Sequence, residues 1–291
     1  MSCAIAADAQ GGRETLGYGR IFNNDFLGDN EDRWRTGSNA VSMVRSYGWD
    51  GALPGRMGDI LEFRLRTEII APDNIVTAAP GDRRYVGALS FGVHTHFQSA
   101  GAEISLGGDI VATGPQTGLG DLQTRAHKVF GAPVPGVLGN QIPNGFHPTA
   151  LLEAGRSFEF GDTVAIRPFV EAQAGVETLV RVGGDISIGR LGRDELMLRD
   201  VVTGQRYRVN RGAGAGFTAV IGGDIAYVEH SAYLPVYDGY QLTDTRSRLR
   251  AGLHWQGRKS SVFYGVTWLG KEFKAQPEGQ LVGSVRLNIR F

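Results

Sequence analysis

From Leu281 onward the chain alternates: Leu281, Gly283, Val285, Leu287, Ile289 and Phe291 fall on one side, Val282, Ser284, Arg286, Asn288 and Arg290 on the other. A period of two is that of a β-strand with unlike faces. The pattern recurs where Leu249, Ala251, Leu253 and Trp255 oppose Arg248, Arg250, His254 and Gln256, and where Leu61, Phe63 and Leu65 oppose Glu62, Arg64 and Arg66. Arginine thus returns on the face turned away from the apolar one. A dry core cannot accept unpaired guanidinium groups. A polar, hydrated interior behind an apolar exterior is the arrangement of a transmembrane β-barrel.

Composition narrows the alternatives. Among 291 residues, 43 of them Gly, no apolar block approaches the roughly 18 residues of a spanning helix, so a helical membrane protein is excluded. Mean hydropathy of -0.16 by itself allows a pair of soluble β-sandwiches or a membrane barrel. Lys plus Arg and Asp plus Glu each number 30, which leaves no basic field to draw the chain onto nucleic acid. The lone Cys3 provides no intramolecular disulfide. The stretch Ala4–Ala9 resembles the small-residue end of a secretion signal without its charged and apolar regions,. Residues 1–15 are read as a signal remnant or disordered segment, and 16–291 as one barrel domain whose closing strand runs to Phe291.

Further strand-like stretches cover Thr36–Trp49, Tyr85–Gln98, Ile104–Thr113, Leu151–Phe160, Thr163–Ile188, Gln205–Val209, Phe217–Ser231 and Ser261–Phe273. With long ones taken as hairpins they make about ten to twelve strands, so the expected fold is an all-β, antiparallel transmembrane barrel of about twelve strands. A Gly-Gly-Asp-Ile tetrad occurs at Gly107–Ile110, Gly183–Ile186 and Gly222–Ile225 and reads as a bend or rim feature. Trp34, Tyr47, Trp49, Tyr85, Tyr227, Tyr233, Tyr237, Tyr240, Tyr264 and Trp268 lie near strand ends, where interfacial girdles need them, although core aromatics would show the same pattern. One segment, 118–130, lacks alternation and places Leu119, Leu122, Ala126 and Phe130 at helical spacing,.

That helical insertion carries Gln123 and His127, four apart and so on one face,. Histidine can serve as a general base near neutral pH, although a single His on an amphipathic helix is also the pattern of a solvated residue. His94 and His96 share a strand face without a third ligand nearby,. Asn23, Asn24, Asp25, Asp29, Asn30, Glu31 and Asp32 form an oxygen-rich stretch of the kind a hard cation with roughly six to eight oxygen ligands favours, or else a solvated acidic turn. No Ser lies in a Gly-x-Ser-x-Gly elbow, so an acyl-enzyme has no candidate nucleophile. A hydrolase built from this chain must activate water.

Taken together, three segments resemble the lipid A 3-O-deacylase family. They are Asn24-Asp25-Phe26 with Asp32-Arg33-Trp34-Arg35-Thr36-Gly37; Gly114-Pro115 with Gln123-x-x-x-His127-Lys128, Gly131, Pro135-Gly136 and Asn140-Gln141; and Lys271-Glu272-Phe273-Lys274-x-Gln276. The resemblance implies a twelve-stranded outer-membrane barrel that removes the 3′-linked acyloxyacyl chain from lipid A, with its site between wall and outer leaflet and dependent on Ca2+. It implies His127 as base, Asn24 and Asp25 as the polar pair near the metal, and Thr36 as a hydroxyl of the same site. Gln123 and Gln141 orient neighbours. Expected cation ligands are Asn24, Asp25, Asp29 and Asp32; expected partners are lipopolysaccharide and the outer membrane, with the chain a monomer. Two positions depart: Pro133 stands where some members carry a site Glu, and Val137 replaces the usual Trp. A porin or structural barrel, and a serine-dependent barrel phospholipase, are the rival readings.

Overall fold

The computed structural model describes residues 11–190, 192–212 and 215–289. In chain order the strands are β1 (Glu14–Asn24), β2 (Trp34–Ser46), β3 (Ile60–Ala71), β4 (Val86–Ser99), β5 (Ala102–Thr113), β6 (Gly145–Gly155), β7 (Phe158–Phe160), β8 (Val164–Ala174), β9 (Glu177–Ile188), β10 (Met197–Arg199), β11 (Arg206–Arg208), β12 (Gly216–Ser231), β13 (Thr245–Gln256), β14 (Ser260–Leu269) and β15 (Gln280–Ile289). One α-helix, α1, spans Leu119–Phe130. Twelve strands close into an antiparallel barrel: β1 pairs with β15 through Phe22↔Val285 and Asn24↔Gly283, and β6 pairs with β8, leaving β7 as a short flap on β8. Phe291, expected to end the closing strand, and residues 1–10 lie outside the described residues. Strand β1 begins at Glu14, two residues inside the segment read as an N-terminal remnant.

The alternation holds across the wall. Arg248, Arg250 and His254 are each 4% exposed, whereas Leu249 and Leu253 are 61% and 49% exposed. The outward belt is apolar and exposed, as a wall facing lipid requires,. Inside, charges are paired. Asp224 takes Arg248 Nε at 2.9 Å, Arg250 Nη1 at 2.5 Å and also Arg181; Asp185 takes Arg250 at 2.5 Å and Arg199 at 2.9 Å; Glu62 binds Arg64 at 2.7 Å and His96 at 2.8 Å. His94 faces Asp109 at 3.3 Å, so both strand histidines serve the lumen.

These pairs explain the repeated tetrad, which lies within β5, β9 and β12 and is neither bend nor rim. Its Asp points inward, and its first Gly, two residues earlier on the same face, opens space: a Cβ on Gly222 would stand 2.8 Å from Arg250 Nε, and one on Gly183 2.8 Å from the Phe169 ring.

Gln205–Val209, expected in the wall, is in the lumen. Beyond β9, which ends on the side of the barrel where β1 begins and β15 ends, β10 and β11 form a separate two-stranded ribbon inside it. Tyr207 is fully buried and packs against β1 at Gly19, where a Cβ would come within 2.9 Å of its ring; Val209 packs at Gly17. Short alternating residues suited to a ribbon and to a wall strand are indistinguishable by period alone. The same packing hides the start of β1 from sequence reading, because two of its inward positions, Gly17 and Gly19, carry no side chain, and only Ile21 and Asn23 follow on that face.

Aromatics divide. Tyr227 (63% exposed), Tyr264 and Trp268 stand outward as a girdle would, but Trp34, Tyr85 and Tyr233 are buried under the loops. Replacing one member of a buried ion cluster leaves its partners unpaired at about 3–5 kcal/mol. Asp224→Ala is therefore expected to lower unfolding stability by about that amount, read from guanidinium unfolding of the purified barrel in detergent micelles.

Candidate active site at the loop end of the barrel

Two long loops at the other end of the barrel meet. The first leaves β1, runs through a single 3-10 turn (Asp25–Leu27) and returns into β2. Asn24 caps that turn: its Oδ1 accepts the Phe26 N–H at 3.0 Å while its Nδ2 donates to the Thr36 carbonyl at 3.0 Å. Asp25 is 1% exposed and accepts the Phe26 N–H at 2.9 Å, the Arg33 N–H at 2.9 Å and the Thr36 hydroxyl at 3.1 Å. Trp34 adopts φ 48° and the β2–β3 register slips between Trp34 and Gly37, a bulge of the kind that re-aims a side chain. Gln280 clamps the bulge, donating to the Arg33 carbonyl and accepting the Arg35 N–H.

The second loop carries α1. Gly118 (φ 68°) and Gly131 (φ 71°) bound the helix, conformations that glycine adopts freely,. Leu119, Gly120 and Gln123 are its buried residues, and His127 follows Gln123 on one face; Leu122, Val129 and Phe130 are exposed. The apolar side of this helix therefore faces outward, opposite to a soluble packing helix. That orientation suits a rim where the surroundings are lipid.

Asp32 joins the loops. Its Oδ1 accepts the Thr36 hydroxyl at 2.6 Å and the Gln123 amide at 3.2 Å, and its Oδ2 lies 3.3 Å from His127 Nε2. His127 Nδ1 lies 2.6 Å from the Pro133 carbonyl. A carbonyl can only accept, so Nδ1 carries the proton and Nε2 keeps its lone pair in the neutral ring. The backbone of Pro133 thus supplies an acceptor at the position where a site Glu was expected.

Of the residues expected by sequence, Asn24, Asp25, Asp32, Thr36, Gln123 and His127 are brought together. Asp29 is turned away: it accepts the Leu281 N–H at 2.9 Å and bridges Arg33 at 3.6 Å. Gln141 donates to the Leu138 carbonyl and braces its own loop. Glu272, from the third recognised segment, is buried among Arg35, Arg83 and Arg246, which ties the residue before Thr36 to the β14–β15 loop. Neither Gln280 nor this ionic tie has a local signal in sequence.

Burial pushes the Asp25 carboxyl up to about 8, with the nearby charge of Asp32 adding to the rise and the Arg33 N–H opposing it. No Lys or Arg side chain bridges Asp25 among the described residues. Gln123 Oε1 is buried there without a hydrogen-bond partner. Among the described residues no three His, Cys, Asp or Glu side chains converge as a metal cluster. Two carboxylates, a hydroxyl and a free amide oxygen nevertheless form an all-oxygen donor set, which fits a hard cation completing its shell with backbone and water oxygens.

A closed twelve-stranded barrel with an apolar belt and a polar site on one rim defines an outer-membrane protein. The family model of Outer membrane protein LpxR matches residues 1–291, and the chain belongs to that family. LpxR from Salmonella typhimurium is similar in structure, with a TM-score of 0.76 at 18% identity, covering 94% of this chain and 100% of that one; the likeness establishes the fold. The β domain of the Bordetella autotransporter BrkA matches at a TM-score of 0.46 and 13% identity, over 95% of this chain and 99% of that one. No curated protein matches the chain by sequence. Long-range 1H–15N correlation spectra of histidine-labelled protein are expected to show neutral His127 as the Nδ1–H tautomer; an Nε2–H pattern would contradict the Pro133 contact.

Proposed function

We propose that the chain is an outer-membrane lipid A deacylase that hydrolyses the 3′-linked acyloxyacyl ester. Membership in the outer-membrane LpxR family, the three motif segments and the orientation of His127 support this reading. The observation that carries it is the His127 ring, held by the Pro133 carbonyl at 2.6 Å so that Nε2 turns toward Asp32.

Nε2 takes a proton from water as that water attacks the ester carbonyl carbon. Asp32 stabilises the imidazolium so formed, and the imidazolium then returns its proton to the departing sugar oxygen as the tetrahedral species collapses. Water thus becomes the acid's hydroxyl and the alcohol's proton, with no covalent enzyme intermediate. Asp25, Asp32, the Thr36 hydroxyl and Gln123 Oε1 would hold Ca2+. When bound, Ca2+ supplies positive charge for the developing oxyanion. Asn24 shapes the turn that presents Asp25, its own amide being engaged on both sides.

The substrate approaches from the membrane. Phe26, Leu122, Val129 and Phe130 are 58–84% exposed beside the site residues, an apolar surface suited to acyl chains. The rival readings lack comparable support: β10 and β11 occupy the lumen a porin would need open, and among the described residues no serine hydroxyl is bonded to a histidine.

Mass spectrometry of lipid A from cells producing the chain is expected to show loss of the 3′ acyloxyacyl mass, blocked by EDTA and restored by Ca2+; unchanged lipid A would refute the assignment. His127→Ala is expected to reduce kcat by about 10²–10⁴-fold with the folded barrel retained on unheated gels. Asp32→Asn should act similarly, because its amide can donate to Nε2 and occupy the base. The double change Val129→Ser with Phe130→Ser is expected to raise KM about tenfold with kcat little altered, since it removes burial of two apolar chains.

A further inference from the structure

The site's first loop is held from inside the barrel as well as from the rim. Asn23 is fully buried at the last inward position of β1. Its Oδ1 accepts the Ser284 hydroxyl at 2.7 Å from β15, and its Nδ2 donates to the Ser38 hydroxyl at 2.9 Å on β2 and to Asp200 Oδ2 at 3.1 Å. Asp200 stands at the tip of the lumenal hairpin, which enters from the opposite end of the barrel. We propose that this hairpin is an internal strut and that Asp200 is a positioning residue, setting through Asn23 where Asn24 and Asp25 leave the wall.

The hairpin is anchored along its length, so its tip is a fixed point. Tyr207 meets Ser42 at 3.3 Å, Arg199 bridges Glu153 and Asp185, and Arg248 donates to the Val201 carbonyl at 2.7 Å. Val202 packs on Val282 of β15, next to Leu281, whose N–H holds Asp29. The tip therefore braces both ends of the 24–29 segment. A polar grip at this point is not required merely to fill the lumen; the apolar contacts at Tyr207 and Val202 already do that.

The chemistry of Asp200 makes the idea separable from a charge effect. Thr203 N–H at 2.7 Å, Thr203 hydroxyl at 2.8 Å and Asn23 Nδ2 all bond Oδ2, while Oδ1 has no partner. An asparagine can keep all three bonds with its single oxygen; an alanine keeps none and leaves a buried N–H of Asn23 unpaired.

The test compares Asp200→Ala and Asp200→Asn in the purified full-length barrel. It assumes the deacylase reading for its kinetic arm, so a second arm follows tryptic cleavage after Arg33, whose N–H is held by Asp25. For Asp200→Ala, kcat on lipid A is expected to fall about tenfold with KM unchanged, and cleavage after Arg33 to quicken about tenfold, while cleavage after Lys271 and Lys274 stays as in the parent. Asp200→Asn should match the parent in both arms. Parent-like behaviour of Asp200→Ala, equal damage by Asp200→Asn, or faster cleavage at all sites alike would each overturn the strut. If the parent releases no acyl chain but Asp200→Ala still loosens Arg33 selectively, the strut stands and the deacylase reading falls.

Discussion

Most of the described guanidinium groups turned into the barrel meet a carboxylate, Arg286 with Ser261 being an exception, and the rest of the structure depends on that pairing. An isolated buried charge is untenable, whereas a satisfied network is rigid. The wall supplies Asp185, Asp224, Glu153 and Glu62 as fixed acceptors, and the hairpin contributes Arg199 to the same lattice. The lumen is consequently filled by matched charge and by a folded ribbon. Where the ribbon presses on β1, that strand carries glycine.

The same ionic lattice reaches the outer rim. Glu272 holds Arg35 from above while Glu68 and Glu177 hold it from the wall. Thr36, the next residue, inherits that position, and the bulge at Trp34 turns its hydroxyl toward Asp25 and Asp32. Against this fixed surface α1 brings His127, oriented by the backbone of its own loop. A carbonyl accepts from Nδ1–H and fixes the same tautomer that a carboxylate would, without its negative charge. The absence of a Glu at Pro133 therefore leaves the orientation of the His127 ring intact.

How far sequence reading reached follows from the range of each interaction. Period-two alternation is local, so strand faces at Leu249–Gln256 and Leu281–Asn288 were legible, as was the helix at 118–130 with its face of Gln123 and His127. Asn24, Asp25, Thr36 and Asp32 were legible as an oxygen-rich turn and through motif resemblance. Asp29 belongs to the same run of letters, yet its direction is set by Leu281, more than 250 positions away. Gln280 and Asp200 belong to none of the three segments, and Glu272, though inside the third, gives no local sign of its partner Arg35. The Gly-Gly-Asp-Ile tetrads were visible as repeats, but their use needed the arginines that face them across neighbouring strands.

Local periodicity was enough for strands with an apolar outside and an arginine-bearing inside, because side chains two apart share a face whatever the neighbouring strand is. The sequence by itself also determined which residues could act as base and oxygen donors. Tertiary structure alone decided that Arg206–Arg208 lies in the lumen and that Asp32 is the meeting point of Thr36, Gln123 and His127. It also decided that Leu122, Val129 and Phe130 of α1 are left exposed. Those outcomes depend on contacts between segments far apart in the chain, where no periodicity carries the information.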